Sequence, residues 1–196
     1  MQALAELQPD IEVNAYLAAT PNRIDGYAMV PDSIVDTTCG KKVEIRHTDA
    51  EGRLTLIDAV AMAEKESPDE LVVIATLTGA ASVVAGLSIV VMGNELPLRD
   101  RVEQAARSVG EPIQSLEMVE GDFDDIKSKL DGADIRNTQK SKGRGTQTAA
   151  AFVMSGVSDT LPVAHLDIAA ADMTPDEEAT GIGAKTLVQF ILNEAK

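Results

Sequence analysis

The sequence predicts an α/β fold in which a mixed, mostly parallel sheet is layered between helices. Short apolar runs of strand length alternate along the chain with longer segments whose apolar residues recur at helical spacing. Aromatic residues make up only 3% of the chain and Trp is absent, so the interior rests on small and aliphatic side chains, which favours close helix-on-sheet layers. A length of 196 residues with 44% hydrophobic residues fits one domain over residues 1–196.

Each element follows from a local pattern. Strands are predicted where apolar residues alternate or run continuously, and helices where they recur every three or four positions. The continuous run at 71–77 is expected for a parallel strand covered on both faces, and Ser67-Pro68-Asp69 ends the helix before it. The predicted strands are residues 11–19, 42–46, 71–77, 89–92, 133–137 and 163–169, and the predicted helices are residues 54–65, a segment from 80, 98–109, 122–130, 146–157 and 184–194.

The charge and cysteine content exclude several classes of protein. The chain has 32 acidic and 17 basic residues, a net charge of −15, which argues against binding nucleic acid or an anionic membrane surface, because both need clustered Lys and Arg. The single cysteine, Cys39, cannot form an internal disulfide, which fits a reducing, cytoplasmic compartment. Residues 1–10 lack a signal-peptide pattern, and the longest apolar stretch, residues 80–92, is too short to span a bilayer.

Residues 47–54, His-Thr-Asp-Ala-Glu-Gly-Arg-Leu, are the most informative segment for function. If the backbone stays extended after the strand at 42–46, the alternation places Asp49, Glu51 and Arg53 on one side. Two carboxylates and a guanidinium suit a divalent cation together with an anionic intermediate. A structural alternative remains open, since Thr48 and Glu51 have the Ser/Thr-x-x-Glu spacing of a helix capping box.

Three weaker candidates also have structural alternatives. His165 and Asp167 share one face of a predicted strand and could act as a ligand pair, although satisfied strand residues are the favoured explanation. Gly143-Arg144-Gly145 precedes a predicted helix and could bind an anion, or could be a plain loop. Cys39 lies in a turn-like segment with no sign of activation.

Several segments, in order, resemble the leucyl (cytosol) aminopeptidase family. The octet resembles the family signature Asn-Thr-Asp-Ala-Glu-Gly-Arg-Leu, with His47 in place of Asn. The further matching segments are residues 75–80 (Ala-Thr-Leu-Thr-Gly-Ala), 143–150 (Gly-Arg-Gly-Thr-Gln-Thr-Ala-Ala), 164–169 (Ala-His-Leu-Asp-Ile-Ala) and 179–183 (Ala-Thr-Gly-Ile-Gly). The resemblance implies the fold of part of a leucyl-aminopeptidase-like catalytic domain.

The resemblance also implies an activity, the hydrolysis of the N-terminal residue of peptides with two divalent ions, Mn2+ or Zn2+. Asp49 would then ligate one ion and Glu51 would bridge both. Arg53 would hold a bicarbonate or similar anion, or would steady the tetrahedral oxyanion. Such ions polarise the scissile carbonyl and lower the pKa of a bound water.

A second group of residues would bind the substrate. By the resemblance, Thr76 and Gly79 line the pocket for the first side chain, and the Leu77 carbonyl accepts a hydrogen bond from the peptide. In open α/β sheets ligands collect beyond the carboxyl ends of strands, which would bring residues 49–53, 77–79 and 169–173 to one rim. The family forms hexamers, so a homo-oligomer is expected as well.

The chain departs from the family pattern in places that bear on activity. The family also uses a lysine and two aspartates before the octet, whereas the only lysines before residue 47 here are Lys41 and Lys42. The N-terminal domain and the first part of the catalytic domain are therefore expected to be absent. Residues 20–33 and Ala169-Ala170 differ from the family as well.

Three interpretations follow from these departures. The favoured one is a piece of a metallo-aminopeptidase that is inactive alone. The second is a degenerate, non-catalytic relative that acts in binding or assembly. The third is a self-sufficient metal-dependent hydrolase that recruits other ligands such as His47.

Overall fold

The computed structural model describes residues 1–21, 23–169 and 171–195. The chain forms two compact units, each assembled from separate stretches of sequence. Unit 1 comprises Met1–Tyr16, Val72–Glu117 and Pro162–Lys196, and unit 2 comprises Leu17–Leu71 and Met118–Leu161. The helices are α1 (Gln2–Leu7), α2 (Gly52–Glu64), α3 (Gly79–Ala85), α4 (Leu96–Ser108), α5 (Glu120–Asp125), α6 (Gly145–Met154) and α7 (Ala184–Glu194). The strands are β1 (Ile34–Asp36), β2 (Lys42–Glu44), β3 (Leu71–Ala75), β4 (Ile89–Gly93), β5 (Ile113–Ser115), β6 (Ile135–Arg136) and β7 (Val163–Asp167).

Unit 1 is built around a four-stranded sheet in the order β3-β7-β4-β5. Strand β4 pairs with β5 in parallel and with β7 in antiparallel orientation. Every residue of β4 and β7 is buried, as expected of central strands whose two faces are both covered. The core packs aliphatic residues of these strands against α4 and α7, among them Ile89, Val91, Leu98, Val102, Ala105, Leu166 and Phe190.

Unit 2 contains a smaller sheet in the order β1-β2-β6. Strand β2 pairs with β1 in antiparallel orientation and with β6 in parallel orientation. The apolar face of α2 and the almost fully buried helix α6 complete this core, which includes Val43, Ile45, Ile57, Ile126, Ala151 and Phe152. The mixed α/β class predicted from the sequence is confirmed, and its strands form two mixed sheets rather than one.

One glycine in each unit fixes the distance between a helix and its neighbour. A Cβ atom at Gly156 would lie 2.6 Å from Ile57 Cγ1 and 2.8 Å from the Ile57 carbonyl oxygen, so only glycine lets α2 approach this closely. Gly183, with φ of +86°, lies at the start of α7, and a Cβ there would come 2.4 Å from Ile74 Cδ1 of β3. Helix α2 also carries Arg53, and strand β3 is followed by Thr76.

The prediction of a strand over residues 11–19 is wrong. The alternation of Ile11, Val13, Ala15 and Leu17 is present, but no ladder forms, and most of the segment is exposed to solvent. Its backbone hydrogen bonds are local ones, from Ile11 to Pro9 and from Ala19 to Leu17. A strand requires a partner for its backbone groups, and alternation alone does not supply one.

The other predicted elements are confirmed in position with shifted ends. Helix α7 has the predicted bounds, while the helix predicted over 122–130 lies at Glu120–Asp125. Strand β3 is only half-buried apart from Val73, in contrast to the full burial expected for it. Strands β1 and β5 were not predicted, because three-residue strands fall below the length at which apolar periodicity is visible.

Candidate active-site loops

Residues 46–51, which directly precede α2, form a turn, and we refer to them as the acidic loop. The Ala50 amide donates to the His47 carbonyl at 3.2 Å, and the Asp49 amide donates to His47 Nδ1 at 3.1 Å. Glu51 has helical dihedrals and immediately precedes α2, which starts at Gly52. The expectation of an extended backbone that aligns three charged residues by alternation is therefore wrong.

The capping-box alternative is also wrong. The N-cap of α2 is Glu51 rather than Thr48, and no side chain makes a capping hydrogen bond there. Asp49 and Glu51 are instead exposed at the surface, and neither side chain caps α2. Their carboxylates are consequently open to an external ligand.

Asn137, at the end of β6, holds the acidic loop from the protein interior. Its side chain is completely buried. Oδ1 accepts hydrogen bonds from the Arg46 amide at 2.7 Å and the His47 amide at 3.3 Å. Nδ2 donates to the His47 carbonyl at 2.7 Å and to the Ala50 carbonyl at 3.4 Å. One amide side chain thus satisfies backbone donors and acceptors of the loop together.

Arg53 lies in the first turn of α2 and is buried, with only 8% of its surface exposed. Its Nη1 atom donates to the Asn137 carbonyl oxygen at 2.9 Å. The main chain of Asn137 therefore fixes the guanidinium while its side chain fixes the acidic loop. All three predicted residues of the octet, Asp49, Glu51 and Arg53, belong to unit 2.

The segment after β3, residues 76–79, contains the predicted substrate-binding residues of unit 1, and we call it the Thr-Leu-Thr loop. Thr76 and Gly79 are exposed and Leu77 is half-buried. Thr78 is buried and is the N-cap of α3, where its Oγ1 atom accepts the Ala81 amide at 3.2 Å. The loop turns at Thr78, which leaves Thr76 and Gly79 at the surface.

Asp167, the last residue of β7, holds the Thr-Leu-Thr loop. It is completely buried. Oδ1 accepts the amides of Leu77 at 3.1 Å, Thr78 at 3.4 Å and Ala169 at 3.2 Å, and Oδ2 accepts the Thr78 hydroxyl at 2.7 Å. The carboxylate is fully engaged by the protein, so the interpretation of Asp167 as a satisfied strand residue is supported over that of a metal ligand.

The Gly143-Arg144-Gly145 segment is better explained as a structural loop than as an anion site. Arg144 donates from Nε and Nη2 to Asp122 at 2.6 and 2.8 Å, a bidentate ion pair with a buried carboxylate. The surrounding cavity is also lined by Asp124 and Asp125. Lys127 donates a hydrogen bond to Asp124 and holds the pKa of that carboxyl below its ordinary value. Carboxylates in this neighbourhood oppose a bound anion.

The acidic loop offers a metal ion two exposed carboxylates, those of Asp49 and Glu51. Within the described part of the chain no group of three or more His, Cys, Asp or Glu side chains is arranged to hold a metal. Exposed carboxylate oxygens suit Mn2+, Mg2+ or Zn2+. Asp49 and Glu51 therefore fit part of a coordination shell, and a complete shell would need further ligands.

Asn137 is the residue that the sequence did not reveal. It ends a short predicted strand and lies some ninety residues away from the loop it holds. A buried asparagine at a strand end is a weak signal on its own, because Asn is equally common in turns. Asp167 was visible as a candidate, but its partners in the Thr-Leu-Thr loop were not.

Comparison with known proteins decides the family. The family model described as the cytosol aminopeptidase family, catalytic domain, matches residues 1–188. The chain belongs to the cytosol aminopeptidase family. Probable cytosol aminopeptidases from Acaryochloris marina and Nostoc punctiforme are 40% and 42% identical to it, each over 97% of this chain.

The structural comparison agrees with this family. A mutant of tomato leucine aminopeptidase matches with a TM-score of 0.84 and 36% identity over 89% of this chain, which is 34% of that protein. The chain spans 39% of the length of the two curated cytosol aminopeptidases named above. The leucyl-aminopeptidase resemblance and the fold it implied are confirmed. None of the described helices is long and apolar enough to cross a bilayer.

Proposed function

We propose that this chain is part of a metallo-aminopeptidase that removes the N-terminal residue of peptides by a two-metal mechanism. The observation that supports this most directly is the acidic loop. This chain belongs to the cytosol aminopeptidase family. In its acidic loop Asp49 and Glu51 are exposed and do not cap α2, and the buried Arg53 lies two residues after Glu51. On this proposal residues 1–196 form the C-terminal portion of one catalytic domain.

The acidic loop would hold the metal ions through Asp49, as ligand of one ion, and Glu51, as a bridge between two. Mn2+ or Zn2+ in such a site supplies Lewis acidity and a water of lowered pKa. The protein's part is to present the two carboxylates, and Asn137 does so by fixing the loop backbone on both sides of His47. Arg53 would hold a bicarbonate ion or stabilise the developing oxyanion, and its bond to the Asn137 carbonyl keeps one guanidinium nitrogen in place.

The Thr-Leu-Thr loop would bind the peptide. Thr76 and Gly79, both exposed, would line the pocket for the first side chain. The Leu77 carbonyl would accept a hydrogen bond from the peptide backbone. Further parts of the proposal are a cytoplasmic enzyme assembled as a hexamer, with no nucleic-acid or membrane partner.

The alternative is a non-catalytic relative, which two departures from the family pattern favour: the altered residues 20–33 and His47 in place of Asn. The structure weakens the argument from His47. His47 Nδ1 accepts the amide of Asp49 two residues later, which is the hydrogen bond an Asn side chain makes in an Asx turn. The replacement therefore preserves the local shape of the acidic loop.

Metal binding by the chain tests the proposal at its centre. Titration calorimetry with Mn2+ should show weak binding to the chain that is lost in Glu51→Gln. Glu66→Gln is the matched control, because Glu66 is also an exposed acid of unit 2 and the variant carries the same net charge. Equal loss in both variants would assign the binding to the overall charge of −15 and not to the acidic loop.

An activity assay tests the expectation that the chain is inactive alone. Two carboxylates make up only part of a two-ion site, so turnover of a leucyl anilide with added Mn2+ or Zn2+ should be negligible. Turnover at ordinary enzyme rates of about 1–1000 per second would instead favour a self-sufficient hydrolase.

A further inference from the structure

The hydrogen-bond partners of the buried Asp167 are not explained by the metal and substrate roles proposed above for other residues. A buried carboxylate is costly unless its oxygens are satisfied. Here its partners are three main-chain amides and one hydroxyl, and the amides of Leu77 and Thr78 are consecutive in the chain. Both amides donate to the same oxygen, Oδ1.

Because the peptide bond is planar, the direction of an amide N–H fixes the direction of the carbonyl group in the same plane. In a trans peptide the carbonyl points opposite to the N–H of the same plane, and the described chain contains no cis peptide bond. The plane that carries the Leu77 amide also carries the Thr76 carbonyl, and the plane of the Thr78 amide carries the Leu77 carbonyl. When both amides point at Asp167, both carbonyls point away from it.

We propose that Asp167 is a positioning residue that orients the Thr76 and Leu77 carbonyls as acceptors for the backbone N–H groups of a peptide. The inference rests on the proposed function and deepens it, because it names the residue that gives the Thr-Leu-Thr loop its acceptor character. Asp167 does not touch the substrate. It acts through the two peptide planes, and the Thr78 hydroxyl on Oδ2 holds the carboxylate in the matching orientation.

A purely structural role for Asp167 is the competing explanation. Through Thr78 the carboxylate also supports the N-cap of α3, so its loss lowers stability in either case. The two explanations differ in what they predict for substrates. A positioning role concerns a hydrogen bond to one substrate N–H, whereas a structural role affects all substrates equally.

The test pairs variants of the complete enzyme with two substrates, a leucyl peptide and the corresponding ester in which oxygen replaces the scissile N–H. Asp167→Ala frees both peptide planes and should raise KM for the peptide about 10-fold relative to the ester, the size of one hydrogen bond. Asp167→Asn retains an oxygen for the two amides and should keep the peptide preference. Thr78→Val removes the hydroxyl but not the amides, and should lower the peptide preference less than Asp167→Ala does.

An equal change of KM for both substrates in Asp167→Ala would overturn the proposal in favour of a structural role. If Asp167→Ala does not fold, Asp167→Ser takes its place in the same peptide-to-ester comparison, and hydrogen exchange in the wild-type chain tests whether the two amides are held at all. The Leu77 and Thr78 amides should be protected about 100-fold or more over the rates of an unstructured peptide, and exchange at unstructured rates would overturn the proposal. A complete enzyme that cleaves neither substrate would refute the proposed function, while the exchange result still reports on Asp167.

Discussion

The acidic loop of unit 2 and the Thr-Leu-Thr loop of unit 1 are held in similar ways by different chemistry. Each is fixed by one fully buried side chain at the end of a strand, Asn137 for the first and Asp167 for the second. Asn137 both donates and accepts, because the acidic loop turns amides and carbonyls inward. Asp167 only accepts, because the other loop turns amides inward. The acidic loop leaves the carboxylates of Asp49 and Glu51 exposed, and in the Thr-Leu-Thr loop the carbonyls of the two peptide planes held by Asp167 point away from it.

The largest effect is expected from the side chains that the acidic loop presents. In the complete enzyme Glu51→Gln keeps the shape but removes the charge proposed to bridge two cations, so metal content and activity should both collapse, with kcat lowered by more than about 1000-fold. Elemental analysis and steady-state kinetics measure this, with Glu66→Gln as the control. A fully metallated, active Glu51→Gln enzyme would refute the metal-binding assignment of Glu51.

Arg53→Ala should spare the metals and lower kcat by about 100- to 1000-fold, the usual loss for one transition-state contact. Loss of the bond to the Asn137 carbonyl should also lower the free energy of unfolding by about 1–3 kcal/mol. Kinetics and denaturant melts are compared with Arg46→Ala, since Arg46 is an exposed arginine paired with Asp32. Loss of metal in Arg53→Ala would place this side chain in the metal site itself.

Exchanging the two holding residues tests the comparison directly. Asn137→Asp replaces the donor facing the His47 carbonyl with an oxygen and should cost about 3 kcal/mol of unfolding free energy at pH 7. The new carboxyl group is desolvated and faces a carbonyl, so its folded pKa lies above the unfolded value. The destabilisation is therefore greatest at neutral pH and shrinks as the pH falls towards about 4, where the protonated group donates again. Urea melts at several pH values show this directly.

The reverse exchange, Asp167→Asn, should cost only about 1 kcal/mol at pH 7, because an amide oxygen still accepts the Leu77, Thr78 and Ala169 amides and the amide nitrogen can donate to the Thr78 hydroxyl. The same melts measure it. A cost equal to or greater than that of Asn137→Asp would show that charge, and not the pattern of donors and acceptors, determines which residue holds each loop.

The sequence revealed those parts of the fold that depend on local pattern. The buried runs at Ile89–Gly93 and Val163–Asp167 and the helix Ala184–Glu194 all have the periodicity of their structure, so their positions could be predicted. The shape of the acidic loop could not, because its turn is imposed by Asn137 from a distant part of the chain. The strand prediction for residues 11–19 was wrong because the alternating pattern is present but no neighbouring strand among the described residues pairs with the segment.

The site residues divide along the same line. The octet and the Thr-Leu-Thr segment were found as motifs, and their assigned roles remain predictions. The local geometry derived from alternation at Asp49, Glu51 and Arg53 was wrong, because it assumed that the strand continues beyond Glu44. Motifs therefore located the candidate residues, whereas the buried side chains that hold their loops became visible only with the hydrogen bonds of Asn137 and Asp167.

The contact between Gly156 and Ile57 has a consequence for how this sequence can drift over generations. Ile57 lies one helical turn after Arg53, and the helix rests on a position where even one methyl group has no room. Gly156 is thus closed to substitution although it lies outside the proposed site, and a mutational scan of the complete enzyme would rank it beside the proposed site residues. The position of α2, and with it that of Arg53, therefore depends on a residue whose only contribution is its lack of a side chain.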